Sequence, residues 1–231
     1  MLRRWLRGSG DHSVDRAAGG RDGCPLSRPT KSAIPEWISS SRLLSKAFRL
    51  ATRAHGSERR PSGGRLFLEH VAEVAGLLQR LEFDEGLVAV GLLHDSVERG
   101  TLSESELRSE MGESIRWLVM ALSEDPTIEP FDERKAALRD QVAVAGVRAV
   151  TVFAADKLSD IAGLRRGIET SPKAAEARMG ASVASMAGHY RDSVRMIAAV
   201  RPGSVFLSAL RLELERLDSV AAAQSAAASL P

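Results

Sequence analysis

Cysteine occurs once in the 231 residues, at Cys24, which excludes an intrachain disulfide and fits a reducing compartment. No stretch of apolar residues approaches the length that a membrane span requires. The opening MLRRWLR runs into Gly, Ser, Asp and His rather than an apolar core, so it does not read as a secretory signal, and the expected location is the cytoplasm. Alternation with period two is missing, β-branched clusters are sparse, and no internal repeat is evident, which leaves strands without support. A dominant charge is missing as well: the formal net charge is +2, and Met1 to Ala33 carries seven basic residues against three acidic ones, so the remainder stands at −2. That balance does not argue for a nucleic-acid surface on the folded part.

What is present is a 44% hydrophobic composition, sufficient for one sizeable core. Gly8 to Pro35 is rich in Gly, Ser, Pro, Arg and Asp without a helical period, so residues 1–34 are expected to be a disordered basic tail or linker. Residues 35–221 are expected to form one helical domain, and 222–231 an Ala/Ser-rich tail.

Apolar residues recur at helical spacing from Ser40 to His55 and from Glu69 to Leu81, with Arg59 to Arg65 (RRPSGGR) as a loop between them. Asp84 is placed to cap the next, very apolar helix, and Ser103-x-x-Glu106 has the capping-box arrangement. Further helices are expected over Ile115 to Leu122, Asp132 to Val144 and Val147 to Ile168. Ser171-Pro172 reads as a helix start, Pro202-Gly203 as a break, and Val205 to Val220 as a last helix. The expected fold class is all-α. In the penultimate helix Tyr190 is assigned to packing and His189 to the surface.

The informative residues interrupt these apolar stretches. The segment LVAVGLLHDSVE, Leu87 to Glu98, ends an almost unbroken apolar run in imidazole and carboxylate. Burying such groups without partners costs several kcal/mol, so they call for pairing or a bound cation. His70 lies 24 residues before His94, and Asp156 lies 61 after Asp95, each in an apolar helix that can meet the others. Two imidazoles and two carboxylates make a mixed N/O set suited to Mn²⁺, Fe²⁺ or Zn²⁺, without the thiolates of structural zinc sites.

These residues carry a family resemblance. His70, the pair His94-Asp95, and Asp156 with Lys157-Leu158 resemble the metal-binding signature of the HD-domain superfamily. More narrowly, AHGSERRPSGGRLFLEH, GLLHDSVE and ADKLSD are similar to the hydrolase domain of the alarmone enzymes, over about Leu43 to Asp218. The resemblance implies an HD-domain-like helical bundle, Mn²⁺ or another divalent transition metal as cofactor, and removal of the 3′-pyrophosphate from a guanosine polyphosphate. It implies His70, His94, Asp95 and Asp156 as metal ligands and Glu98 as the first member of a catalytic pair. Arg59, Arg60, Phe67, Lys157 and Asp160 fall at substrate-contacting positions.

Four positions depart from that pattern. Arg99 stands where the family has Asp, placing a cation beside Glu98 that favours its ionised form and can stabilise phosphate charge. Phe67 replaces a Tyr and keeps a stacking face without the hydroxyl, Asp160 replaces an Asn, and Val71 replaces a Pro. Alternatives to the alarmone hydrolase are an HD phosphohydrolase of another nucleoside phosphate and a catalytically altered nucleotide sensor. The expected partner is a small nucleotide, with no nucleic acid and no membrane.

Overall fold

Helix-terminating chemistry in the sequence sets the element boundaries of the computed structural model, which describes residues 34–56, 58–60, 66–98 and 102–228. The tail assigned to 1–34 falls outside this set up to residue 33, as does the loop segment 61–65. Eleven α-helices occur among the described residues. They are α1 (Glu36–Ser39), α2 (Arg42–His55), α3 (Phe67–Arg80), α4 (Glu85–Leu93), α5 (Glu104–Met111), α6 (Glu113–Leu122), α7 (Phe131–Ala145), α8 (Val147–Thr170), α9 (Pro172–Met179), α10 (Val183–Val200) and α11 (Leu207–Ala228). No strand forms among the described residues; the only extended pairing there is one antiparallel bridge between Arg59 and Leu66.

Several starts follow the capping rules. The Asp84 carboxylate accepts from the Leu87 N–H at 3.1 Å and is itself gripped by both Arg148 guanidinium nitrogens at 2.8 and 3.0 Å. Ser171 accepts from the Ala174 N–H at 3.3 Å, with Pro172 at the first helical position. The expected capping box is only half made. Ser103 accepts from the Glu106 N–H at 3.2 Å, but the Glu106 carboxylate pairs with Arg53 of α2. A full guanidinium charge offered by a neighbouring helix is a stronger partner than a backbone N–H. The final helix also runs on through Ala228, so the segment expected as an Ala/Ser-rich tail is helical up to that residue. Ala-rich sequence has the highest helix propensity, and no Gly or Pro lies between Gly203 and Ala228 to stop it.

Two helices form the centre. α8, 24 residues and about 36 Å long, packs against α3, α4, α6, α7, α9, α10 and α11. α4 is short and buried along its whole length from Leu87 to Leu93, enclosed by α2, α3, α6 and α8. Apolar residues all round α4 therefore reflect burial on every side rather than one amphipathic face. Gly146, at φ +84°, turns the chain from α7 into α8 in one residue, a conformation that L side chains avoid.

The approach of α4 to α3 depends on Gly91. A Cβ there would lie 2.9 Å from Leu78 Cδ1 and 3.1 Å from Ala75 Cα. The backbone atom cannot step aside without moving α3. Gly91→Ala is expected to lower stability by about 1–3 kcal/mol, the usual cost of overpacking a core, and a melting temperature unchanged from the wild type would contradict this account.

Candidate metal centre

Three helices bring the polar residues together. His70 lies in the first turn of α3, His94 caps the C-terminus of α4, and Asp156 sits near the middle of α8. His94 Nδ1 is 3.0 Å from the Gly91 carbonyl oxygen. Since a carbonyl only accepts, Nδ1 carries the hydrogen and Nε2 keeps its lone pair. Nε2 is buried and has no hydrogen-bond partner among the described residues, yet it lies 3.2 Å from Asp95 Oδ2 and 3.5 Å from Asp156 Oδ1. His70 is oriented in the same manner, with Nδ1 3.0 Å from Ser159 Oγ and Nε2 3.2 Å from Asp156 Oδ1 and 3.7 Å from Asp95 Oδ2.

A lone pair facing carboxylate oxygens is repulsive unless a positive charge stands between them. Burial opposes charging of His94, but the carboxylates of Asp95 and Asp156 outweigh it and hold the imidazole well above its ordinary pKa. For Asp156, burial is outweighed by Lys157 and by the two histidines, which hold the carboxyl well below the usual range. The cluster thus demands a cation or a proton in its middle. Ligand atoms of His70, His94 and Asp156 lie within 4.8 Å of one another, and the 3.2 and 3.5 Å separations of the two Nε2 atoms from Asp156 Oδ1 match the spacing of about 3–3.5 Å that two bonds of about 2.1 Å to a shared centre require. The donor set and the orphaned His94 nitrogen fit a divalent metal.

The cluster opens into a solvent-connected cavity of about 110 Å³. Its lining contains three cationic side chains, Arg60, Lys135 and Lys157, against five carboxylates, Asp95, Glu98, Glu124, Asp156 and Asp160. One divalent cation would cancel that excess of two negative charges. Lys157 Nζ lies 2.7 Å from Asp156 and 2.8 Å from Asp160, and Arg60 pairs with the same Asp160. Asp160 therefore positions two cations rather than facing a ligand alone. Glu98 is exposed as a residue, but it lines the cavity rim and its carboxyl is turned to the wall, where Oε2 accepts from the Glu124 N–H at 3.1 Å. Removal from bulk water, then the charges of Asp95 and Glu124, push its carboxyl up to about 7.

Most of the expected site residues converge here, and some do not. Arg59 is exposed and is not part of the cavity lining, so only Arg60 of the basic pair reaches the site. Arg99 lies outside the described residues. Phe67 borders the cavity but is only 3% exposed, with His55 stacked on its ring at 4.6 Å and His70 edge-on at 5.5 Å. One face of the Phe67 ring is thus taken up by His55, while the residue remains part of the cavity lining. His189, expected at the surface, is buried and lines the cavity next to Tyr190, because α10 is pressed against both α7 and α8. Glu124, Phe131, Lys135 and His189 were missed as cavity residues. Their only signal is a charged and aromatic segment at the start of α7 and a histidine beside the chain's single tyrosine.

The family model that describes the HD domain matches residues 47–177, more than half of the chain and all four of the clustered side chains. The chain belongs to the HD-domain family. Among curated relatives of this HD-domain chain, a GTP pyrophosphokinase of Brucella ovis is 40% identical over 81 residues, covering 35% of this chain and 11% of that protein. A probable guanosine-3′,5′-bis(diphosphate) 3′-pyrophosphohydrolase of Synechocystis is 39% identical over 77 residues, covering 33% of this chain and 10% of that protein. The HD-domain chain spans about a tenth of the length of these relatives. In fold it is similar to a metazoan SpoT orthologue that hydrolyses ppGpp, with a TM-score of 0.60 and 22% identity over 77% of this chain and 94% of that one. Among the described residues no helix is long and apolar enough to cross a membrane.

Two measurements test the centre. Asp156→Asn is expected to abolish retention of a stoichiometric divalent metal in elemental analysis, and with it the rise in melting temperature that added metal gives the wild type. In metal-free protein, the folded state keeps a proton on Glu98 that the unfolded chain releases between the ordinary carboxylate value of 4.5 and about 7. Stability falls as pH rises through that window. The melting temperature of Glu98→Gln should match the wild type at the acid end and exceed it at the upper end; a constant difference across the range would disprove the elevated pKa.

Proposed function

We propose that this HD-domain protein is a metal-dependent phosphohydrolase of a nucleotide pyrophosphate, with guanosine 3′,5′-bis(diphosphate) as substrate and its 3′-pyrophosphate as the group removed. The observation that carries the reading is the meeting of two imidazole nitrogens and two carboxylates at a cavity that also presents Arg60 and Lys157. The likeness to the Synechocystis probable guanosine-3′,5′-bis(diphosphate) 3′-pyrophosphohydrolase and to the ppGpp-hydrolysing metazoan structural neighbour supports the choice of substrate.

In this reading His70, His94, Asp95 and Asp156 hold Mn²⁺ or another divalent transition metal. Such a cation, when bound, polarises a phosphate oxygen and makes a water more acidic. The Gly91 carbonyl sets the tautomer of His94, and Ser159 holds the ring of His70 through Nδ1, so each presents Nε2 to the centre. Phe67, wedged between His55 and His70, fixes the ring of His70. Glu98, with a carboxyl that titrates at about 7, accepts a proton from the attacking water at neutral pH. Arg60 and Lys157 bind phosphate oxygens, and Asp160 holds both in place until the substrate arrives.

Purified protein with Mn²⁺ and ppGpp should release pyrophosphate and GDP. Glu98→Gln should retain the metal and lose about a hundredfold or more in rate, the usual range for acid–base help. Absence of turnover in the wild type would sink this substrate, and tight binding without turnover would turn the reading to a nucleotide sensor.

A further inference from the structure

The same cavity contains a second buried imidazole that the chemistry above leaves without a task. His189 of α10 is 5% exposed and lines the cavity. Its Nδ1 lies 2.8 Å from Nη1 of Arg139 on α7, and Arg139 reaches Asp192 at 3.4 Å with its other terminal nitrogen. A guanidinium has hydrogens to give and no lone pair to offer. Nδ1 must therefore accept, which puts the ring hydrogen on Nε2. That Nε2 is buried and has no hydrogen-bond partner among the described residues.

The tautomer is thus decided by geometry, and what it leaves is a buried, unpaired N–H on a ring that lines the cavity. A buried donor without an acceptor is costly and calls for an explanation. Its surroundings state what kind of acceptor is missing. Burial, then the positive charges of Lys157, Lys135 and Arg139, hold the imidazole far below its ordinary pKa, so the ring remains neutral and Nε2–H is a fixed donor. Phe131 lies edge-on to it at 6.2 Å, carrying Lys135 Nζ at 5.5 Å from its own ring centre. The cations retain carboxylate partners in the protein, Lys135 with Glu124 and Lys157 with Asp156 and Asp160. A neutral carbonyl could satisfy the N–H but would gain nothing from three cations around it. An anionic oxygen gains from both.

We propose that His189, oriented by Arg139 and flanked by Lys135, is a specificity-determining residue that receives a phosphate of the nucleotide other than the one cleaved at the metal cluster. The chain then selects substrates phosphorylated at two positions. The identity of the ligand as a nucleotide rests on the function proposed above, whereas the anion-binding role of His189 does not.

The test separates the two. Full-length protein loaded with Zn²⁺, which does not broaden resonances, is labelled with ¹⁵N-histidine and titrated with inorganic pyrophosphate. The His189 Nε2 resonance should shift on saturation. His189→Phe, which keeps a ring and removes the donor, and Arg139→Met, which releases the tautomer, should each weaken pyrophosphate binding about tenfold or more by calorimetry. His189→Gln, which restores an N–H, should recover part of the loss. An unmoved resonance in the wild type, or unchanged affinity in folded His189→Phe, overturns the proposal. In a second arm, KM for a nucleotide with phosphates on both the 3′ and 5′ positions should rise about tenfold in His189→Phe, and KM for a nucleoside 3′-diphosphate with a free 5′-hydroxyl should not move; an equal rise for both also overturns it. If the wild type hydrolyses neither nucleotide, the proposed function fails, and the pyrophosphate titration still decides the role of His189.

Discussion

A buried carboxylate, Asp156, and a half-buried one, Asp95, stand against two imidazole nitrogens, and most of the local architecture follows from the need for positive charge at that point. Unpaired buried charge is far more costly than any single packing defect. The protein meets the demand from two sides. Lys157 lies against Asp156 on the same helix, while the region between the histidines is left for a cation. The cavity beyond repeats the pattern, with each of its cations already paired to a carboxylate yet positioned where an anion could draw it away.

Holding such a cluster requires that its three helices cannot drift. α8 supplies the rigid axis, and α4 is locked in place by close contact with α3 at Gly91. The Gly91 residue serves both needs: its missing side chain lets the helices approach, and its carbonyl sets the tautomer of His94 three residues later. Packing and chemistry therefore share one residue. A change there acts on both, which is why the most buried helix of the fold ends at the reactive centre.

The cavity is asymmetric in chemistry. One region presents His70, Asp95 and Asp156 with Glu98 nearby, a set suited to holding a cation and moving a proton. The same lining holds His189, whose Nε2–H lacks an acceptor among the described residues, and Lys135, which pairs with Glu124.

Much of this was legible in the chain. Apolar periodicity, Asp84, Ser171-Pro172 and Pro202-Gly203 marked helices and their ends because such signals are local: a cap acts on the next three residues and a proline on its own backbone. His70, His94, Asp95 and Asp156 stood out because a polar group inside an apolar helix, or directly at its end, has few other uses. What needed the tertiary structure was every choice between rival partners. Glu106 goes to Arg53 instead of completing its box, the Phe67 face goes to His55, and His189 is drawn inside by α7 and α8. Those outcomes depend on distances across tens of residues of chain, which residue order alone does not encode, and they decide which donors are left without an acceptor and hence what the cavity can bind.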